Sequence, residues 1–170
     1  MTMLKDLDRK ILSELVKNAK TSDRMLAKKV GVSQPTISRR RARLEKEGKL
    51  SYRLLPELGK LGFEIMAFTL LIWKPLNHLE LTKDPNYMKR IHEFISKNPE
   101  IVFASSGQGL GMTRLVMTVH RRYSDYVSFR RKLESEWGTY IERLETFIIS
   151  FKGDQIIRQP TFEHLFNNLL

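Results

Sequence analysis

A glycine followed by Val-Ser-Gln-Pro, set between two helical patterns, is the feature that most restricts what this chain can fold into. Ahead of it, Met25, Leu26, Ala27 and Val30 form a short helix pattern, and Gly31 stands just past its end, where positive φ is needed. Behind it, Ser33 stands where an N-cap side chain accepts from the free N–H groups of the first turn. Pro35 falls where a missing N–H costs nothing. The spacing therefore predicts a tight helix-to-helix turn and a helix over Ser33–Glu47, closed by Gly48.

That helix is unusual in its charge. Only Ile37, Ala42 and Leu44 are apolar along it, with Ile37 and Leu44 seven apart, so one narrow stripe is available for burial. Arg39, Arg40, Arg41, Arg43 and Lys46 spread round the rest, and no acid occurs between Asp23 and Glu45. A solvated charge run is the competing reading, but solvated helices interleave acids with bases, which favours nucleic-acid contact. Upstream, Leu4, Leu7, Ile11, Leu12, Leu15 and Val16 recur at helical spacing, predicting a first helix that ends around Asn18. Thr21 or Ser22 offers the next N-cap. Helix, short helix, turn and basic helix is the helix-turn-helix order, whose last helix lies in the major groove.

Charge divides the chain. Its net charge is +11 over 170 residues; residues 1–55 hold fifteen Lys/Arg against six Asp/Glu, and 56–170 hold fifteen against thirteen. A basic module joined to a nearly neutral one with another task fits this asymmetry. With no cysteine, disulfides, thiolate metal sites and Cys nucleophiles are excluded. The absence of an apolar run near 18 residues and of a signal-peptide core leads us to expect a soluble cytoplasmic protein with no membrane partner.

Residues 51–62 read as an extended hinge or linker, with Tyr52 and Leu54 alternating before Pro56. From Phe63 the period becomes two, and Phe63–Trp73 reads as a mostly buried strand. Lys74–Lys83 reads as a loop, and Asp84-Pro85 as an N-cap with proline at the first helical position. A helix stopping before Asn98-Pro99, a strand over Ile101–Ser105, a glycine-rich turn over Ser106–Gly111 and a strand over Met112–His120 follow. A helix over Tyr123–Trp137 and a strand over Arg143–Phe151 complete the order β-α-β-β-α-β. This is the ferredoxin-like layout, with two helices on one sheet face and a bare second face that a second copy would cover. Phe162, Leu165, Phe166 and Leu169 suggest a short amphipathic tail helix. The domains expected are a helix-turn-helix over 1–50, a hinge strand over 51–62, a ferredoxin-like domain over 63–152 and a tail over 153–170.

Leu7-Asp8-Arg9-Lys10-Ile11-Leu12, Asn18–Ser22, Leu26-Ala27, Val30–Ser33, Ile37, Arg40, Arg43-Leu44-Glu45 and Gly48 resemble the N-terminal winged helix-turn-helix of the Lrp/AsnC (leucine-responsive, feast/famine) transcription regulators. Arg41 departs from the family, which more often has an aliphatic residue there. The resemblance implies an α+β protein in which a winged helix-turn-helix precedes a ferredoxin-like (βαββαβ) ligand-sensing and dimerisation domain, with the hinge strand pairing between protomers. It also implies double-stranded DNA and a homodimer or higher homo-oligomer as partners, a small-molecule effector as an option, and no cofactor.

For DNA, the mouth of the groove falls to Ser33, Gln34 and Thr36, with Ser38 and Arg39 on the same advancing surface. Gln34 and Arg39 are the best base readers, since Gln pairs bidentately with adenine and Arg with guanine. Lys28, Arg40, Arg41 and Arg43 are expected at phosphates, although Ser33 could serve only as a cap and Arg40 only as an internal brace. For a ligand, Ser105, Ser106, Gly107, Gly109 and Arg114 are the candidates. The family carries an acidic residue near this turn, where it can pair with an amino acid's ammonium group, but here no acid lies between Glu100 and Asp125, which points to an anionic or neutral ligand. Three glycines merely turning a hairpin are the plain alternative.

The histidines, His78, His92, His120 and His164, are 14, 28 and 44 residues apart, so no local metal-ligand spacing exists and no metal or catalytic residue is assigned. Siroheme decarboxylases resemble the same layout, but they carry a histidine-containing motif after the second strand of the C-terminal domain, where this chain has Phe103-Ala104-Ser105-Ser106. The expectation is a sequence-specific regulator and not an enzyme. An architectural DNA-coating protein of low specificity is the alternative.

Overall fold

The structure, a computed structural model, describes residues 4–75, 83–153, 156, 157 and 162. It comprises two compact units, one ending at Leu55 and one running from Pro56 to Ile157.

In the first unit, α1 (Asp6–Lys17), α2 (Asp23–Val30) and α3 (Gln34–Lys46) enclose a core of Ile11, Leu12, Leu15, Leu26, Ala27, Ile37 and Leu44. Ile37 and Leu44 are the narrow stripe that α3 buries, and both are fully enclosed. Ser22 is the α2 cap: its Oγ accepts from the Met25 N–H at 3.3 Å. Gly31 takes φ 77°, which lets its own N–H and that of Val32 both reach the Ala27 carbonyl, at 2.9 and 3.1 Å. Ser33 occupies the N-cap position of α3 in extended conformation but does not cap it. Thr36, one turn on, offers a hydroxyl 2.8 Å from the Ser33 hydroxyl, and this pairing replaces the expected bond to backbone N–H.

The second unit contains a 3-10 turn over Leu58–Leu61 and then β1 (Ile65–Trp73), α4 (Tyr87–Lys97), β2 (Ile101–Gly109), β3 (Met112–His120), α5 (Tyr123–Trp137) and β4 (Ile141–Ser150). The sheet runs β2-β3-β1-β4, antiparallel throughout, which is the expected ferredoxin-like order. Alternate residues of β1 explain the layering: Leu71 and Trp73 join Tyr87 and Phe94 of α4 and Phe129, Leu133 and Trp137 of α5 in one core. The intervening Met66, Phe68, Leu70 and Ile72 lie on the opposite face and stay half-buried. Phe68 is flanked there by its register partners Met117 and Phe147, the latter 70% exposed.

Strands β1 and β4 start at Ile65 and Ile141 instead of Phe63 and Arg143, β4 ends at Ser150 instead of Phe151, and the start of α4 and the end of β2 also differ from expectation. Helix α4 begins at Tyr87 because the Asp84 carboxylate accepts from the Asn86 N–H at 2.8 Å, closing a side-chain turn before the helix. The predicted turn over Ser106–Gly111 is mostly strand: β2 continues to Gly109, with its register slipping between Ser106 and Gly109. The reversal is confined to Leu110 and Gly111, with φ 53° and 69°, the pair of positive values that a type I′ hairpin turn needs. The loop expected over Lys74–Lys83 and the tail helix expected over 160–170 lie largely outside the described residues.

His120, 3% exposed, bonds Thr118 Oγ1 at 2.8 Å and meets the Tyr126 and Phe129 rings. Burial holds its pKa below the ordinary histidine value, with Glu100 and Asp125 partly opposing that shift. The unfolded chain therefore takes up a proton near pH 6.5 that the folded unit refuses, so stability falls as pH drops below about 6.5. Melting curves between pH 7.5 and 5.5 should show this loss, and His120→Gln should flatten it.

Candidate nucleic-acid interface

Helix α3 sorts its polar residues by side. Pro35, Arg39, Ala42 and Lys46 follow at steps of four, three and four and are all exposed, as is Gln34. Arg39 and Lys46, with Arg24 and Lys28 of α2, have no carboxylate at ion-pair distance among the described residues.

The other three arginines are engaged within the unit. Arg43 Nη2 donates to Asp8 Oδ2 at 2.6 Å, and Arg40 Nη1 approaches both Asp8 oxygens at 3.4 Å. Asp8 is 2% exposed on the inner side of α1. Arg41 Nη1 donates to Asp23 Oδ1 at 2.9 Å, while its Nε donates to the Tyr52 hydroxyl at 2.7 Å. Glu45, one turn on, lies 3.5 Å from the same Nε. Ser38 Oγ donates to Asp23 Oδ2 at 2.6 Å, and this bond, with Arg41 beside it, holds the Asp23 carboxyl below the usual carboxylate range. A carboxylate of the same unit thus holds each of Arg40, Arg41 and Arg43, the arginines expected at phosphates. Ser38 is likewise tied to Asp23, and Ser33 to Thr36. Of the expected contact residues, Lys28, Gln34 and Arg39 are exposed and without such ties.

Asp8, Asp23 and Tyr52, which hold these arginines, carry no DNA-contact signal of their own in the sequence. Asp8 had a legible signal, since it falls within the apolar stripe of Leu4, Leu7, Ile11 and Leu12, where a carboxylate requires a cation.

The ligand candidates do not form one loop. Ser106 and Arg114 are register partners on the helix side of the sheet, where Arg114 also pairs with buried Leu71. Ser105 pairs with Leu115 on the opposite face, and its hydroxyl donates to the Ser106 carbonyl at 2.9 Å. Gly107 and Gly109 lie in the exposed edge strand with open space around them. His92 is exposed on α4, whereas His78 and His164 lie outside the described residues. Among the described residues no group of His, Cys, Asp and Glu could hold a metal ion, and no helix is long and apolar enough to cross a membrane.

A three-helix unit presenting one partly cationic helix, joined to a ferredoxin-like α+β unit, defines a helix-turn-helix protein of two-domain design. Residues 4–45 match the AsnC-type helix-turn-helix domain, and this unit is one. The whole chain has the fold of the Lrp/AsnC regulators. An AsnC family transcriptional regulator from Agrobacterium tumefaciens superposes with a TM-score of 0.74 at 24% identity, covering 98% of this chain and 100% of that one. AsnC of E. coli superposes at 0.68 with 23% identity, covering 94% and 99%. The transcriptional regulator NMB0573 of Neisseria meningitidis, in complex with L-Met, superposes at 0.71 with 18% identity, covering 96% and 99%. No curated protein matches the chain by sequence.

Proposed function

We propose that this chain is a sequence-specific, double-stranded-DNA-binding transcription regulator that works in the cytoplasm as a homodimer or a larger assembly of dimers, and that it is not an enzyme. The observation that carries the reading is the division of α3. Gln34 and Arg39 stand exposed on its first half, while Arg40, Arg41 and Arg43 are held by Asp8 and Asp23. Ala42, small and exposed between Arg39 and Lys46, lets the helix approach the groove floor closely. Gln34 and Arg39 then read base edges, and Lys28 and Lys46 meet phosphates.

The same pairing argues against an architectural coat protein. The arginine density that favoured that alternative is largely neutralised within the unit, which leaves few outward cations on α3 for non-specific binding. Dimerisation is supported by the half-exposed apolar face of the sheet and by Leu54 and Leu55, which are 92% and 62% exposed in the hinge. Two copies would set their helices about one helical turn, or a multiple of it, apart on a pseudo-palindrome. Effector control is supported by the L-Met complex of the Neisseria relative, although this chain has no acid between Glu100 and Asp125.

Arg39→Ala should lose about 1–3 kcal/mol of discrimination between an operator and its scrambled version, whereas Lys28→Ala should weaken both alike and reduce the salt slope by about one. Competition binding on the two duplexes at several salt concentrations checks both. Unchanged discrimination in Arg39→Ala would remove that residue from the readout.

A further inference from the structure

We propose that the cleft between α4 and the β2–β3 half of the sheet binds a small monocarboxylic acid with a branched or aromatic body and no amino group. This deepens the effector part of the reading above and is independent of its DNA-binding part.

The cleft has a volume of about 270 Å³, near the lower end of the range of about 300–1,000 Å³ that ligand pockets span. Its walls are apolar, with Trp73, Tyr87, Ile91, Phe94, Val116 and Trp137 the main surfaces. Such walls take a flat or branched hydrocarbon body and make a strongly hydrated one costly. Edge strand β2 is exposed from Val102 to Gly109, so the cleft opens along it and a ligand can enter without unfolding α4.

One end is polar. Arg114 reaches the cleft from near the start of β3, beside its cross-strand partner Ser106. Its guanidinium donates to the Thr113 carbonyl at 2.8 Å, and no carboxylate stands at ion-pair distance from it among the described residues. A half-buried guanidinium over an apolar cleft presents a planar fork that a carboxylate satisfies with two bonds, and Ser106, its register partner, also lines the cleft. Among the described residues, no Asp or Glu lines the cleft. An ammonium group entering with the ligand would thus lose its water without gaining a counter-ion, which selects against free amino acids.

The test is calorimetric titration of the full chain, without DNA, with 3-phenylpropanoate and L-phenylalanine, which share a body and a carboxylate and differ by the ammonium group. Saturable binding of 3-phenylpropanoate is expected, with L-phenylalanine at least about tenfold weaker. Arg114→Gln should weaken 3-phenylpropanoate by about ten- to a hundredfold while leaving the melting temperature of the free protein in place. Ile91→Trp, which fills the cleft, should abolish binding. No saturable binding of 3-phenylpropanoate, equal binding of the two compounds, or indifference to Arg114→Gln would each overturn the proposal. DNA binding, measured on the same preparation, separates this failure from failure of the regulator reading.

Discussion

Replacing Arg40 and Arg43 together by methionine, with Asp8 left in place, is expected to cost the N-terminal unit about 3–5 kcal/mol, because it strands a buried carboxylate. Asp8 is 2% exposed, and among the described residues its side chain takes the 2.6 Å bond from Arg43 and the 3.4 Å approaches of Arg40. These contacts join α1 to α3 across 32 and 35 residues, so losing them loosens the frame that aims α3 as well as exposing a charge to an apolar interior. Adding Asp8→Leu should recover most of the loss, since an apolar triad of similar volume needs no counter-ion. Urea unfolding, with hydrogen exchange of α1 and α3 to isolate this unit, reads the effect. If the arginines served only phosphates, the double variant would keep its stability and lose only DNA affinity.

Phe68→Asp is expected to leave the protomer folded and to weaken self-association by at least about a thousandfold. Phe68 lies on the sheet face that the helices do not cover, between Met117 and Phe147, so its side chain is no part of the helix-side core. In a two-fold dimer built on this face each substitution occurs twice, and each buries an unpaired carboxylate worth several kcal/mol. Sedimentation equilibrium of the variant at micromolar concentration should therefore show a monomer with native secondary structure. A variant that remains dimeric would move the interface elsewhere.

Local rules made much of the fold legible. Helices α1 and α2 follow from apolar residues at three- and four-residue steps and from Gly31 at a left-handed C-terminus. Helix α5 and strand β3 coincide with their expected limits, because apolar periodicity runs to both ends of each. The Ser106–Gly109 stretch, expected as a turn, is strand for an equally physical reason: its polar, glycine-rich residues carry no alternation, and it extends only through pairing with β3. The site was legible in part. A cationic α3 with Gln34 and Arg39 near its start was evident, but a count of arginines cannot say which of them are already paired. Arg41 finds Asp23 and Tyr52 only once α2, α3 and the segment after α3 have come together, and neither partner is a helical neighbour. Asp8 was the exception, being a carboxylate written into an apolar stripe.

Binding-site selection from random duplex DNA, run in parallel on the wild-type chain and on Arg39→Ala, tests most directly whether the exposed start of α3 reads sequence. The wild type should enrich one pseudo-palindrome whose half-sites are centred about one helical turn, or a multiple of it, apart, and Arg39→Ala should lose preference at one position in each half-site. Enrichment of no motif by the wild-type chain, with duplexes retained in proportion to length alone, would contradict it.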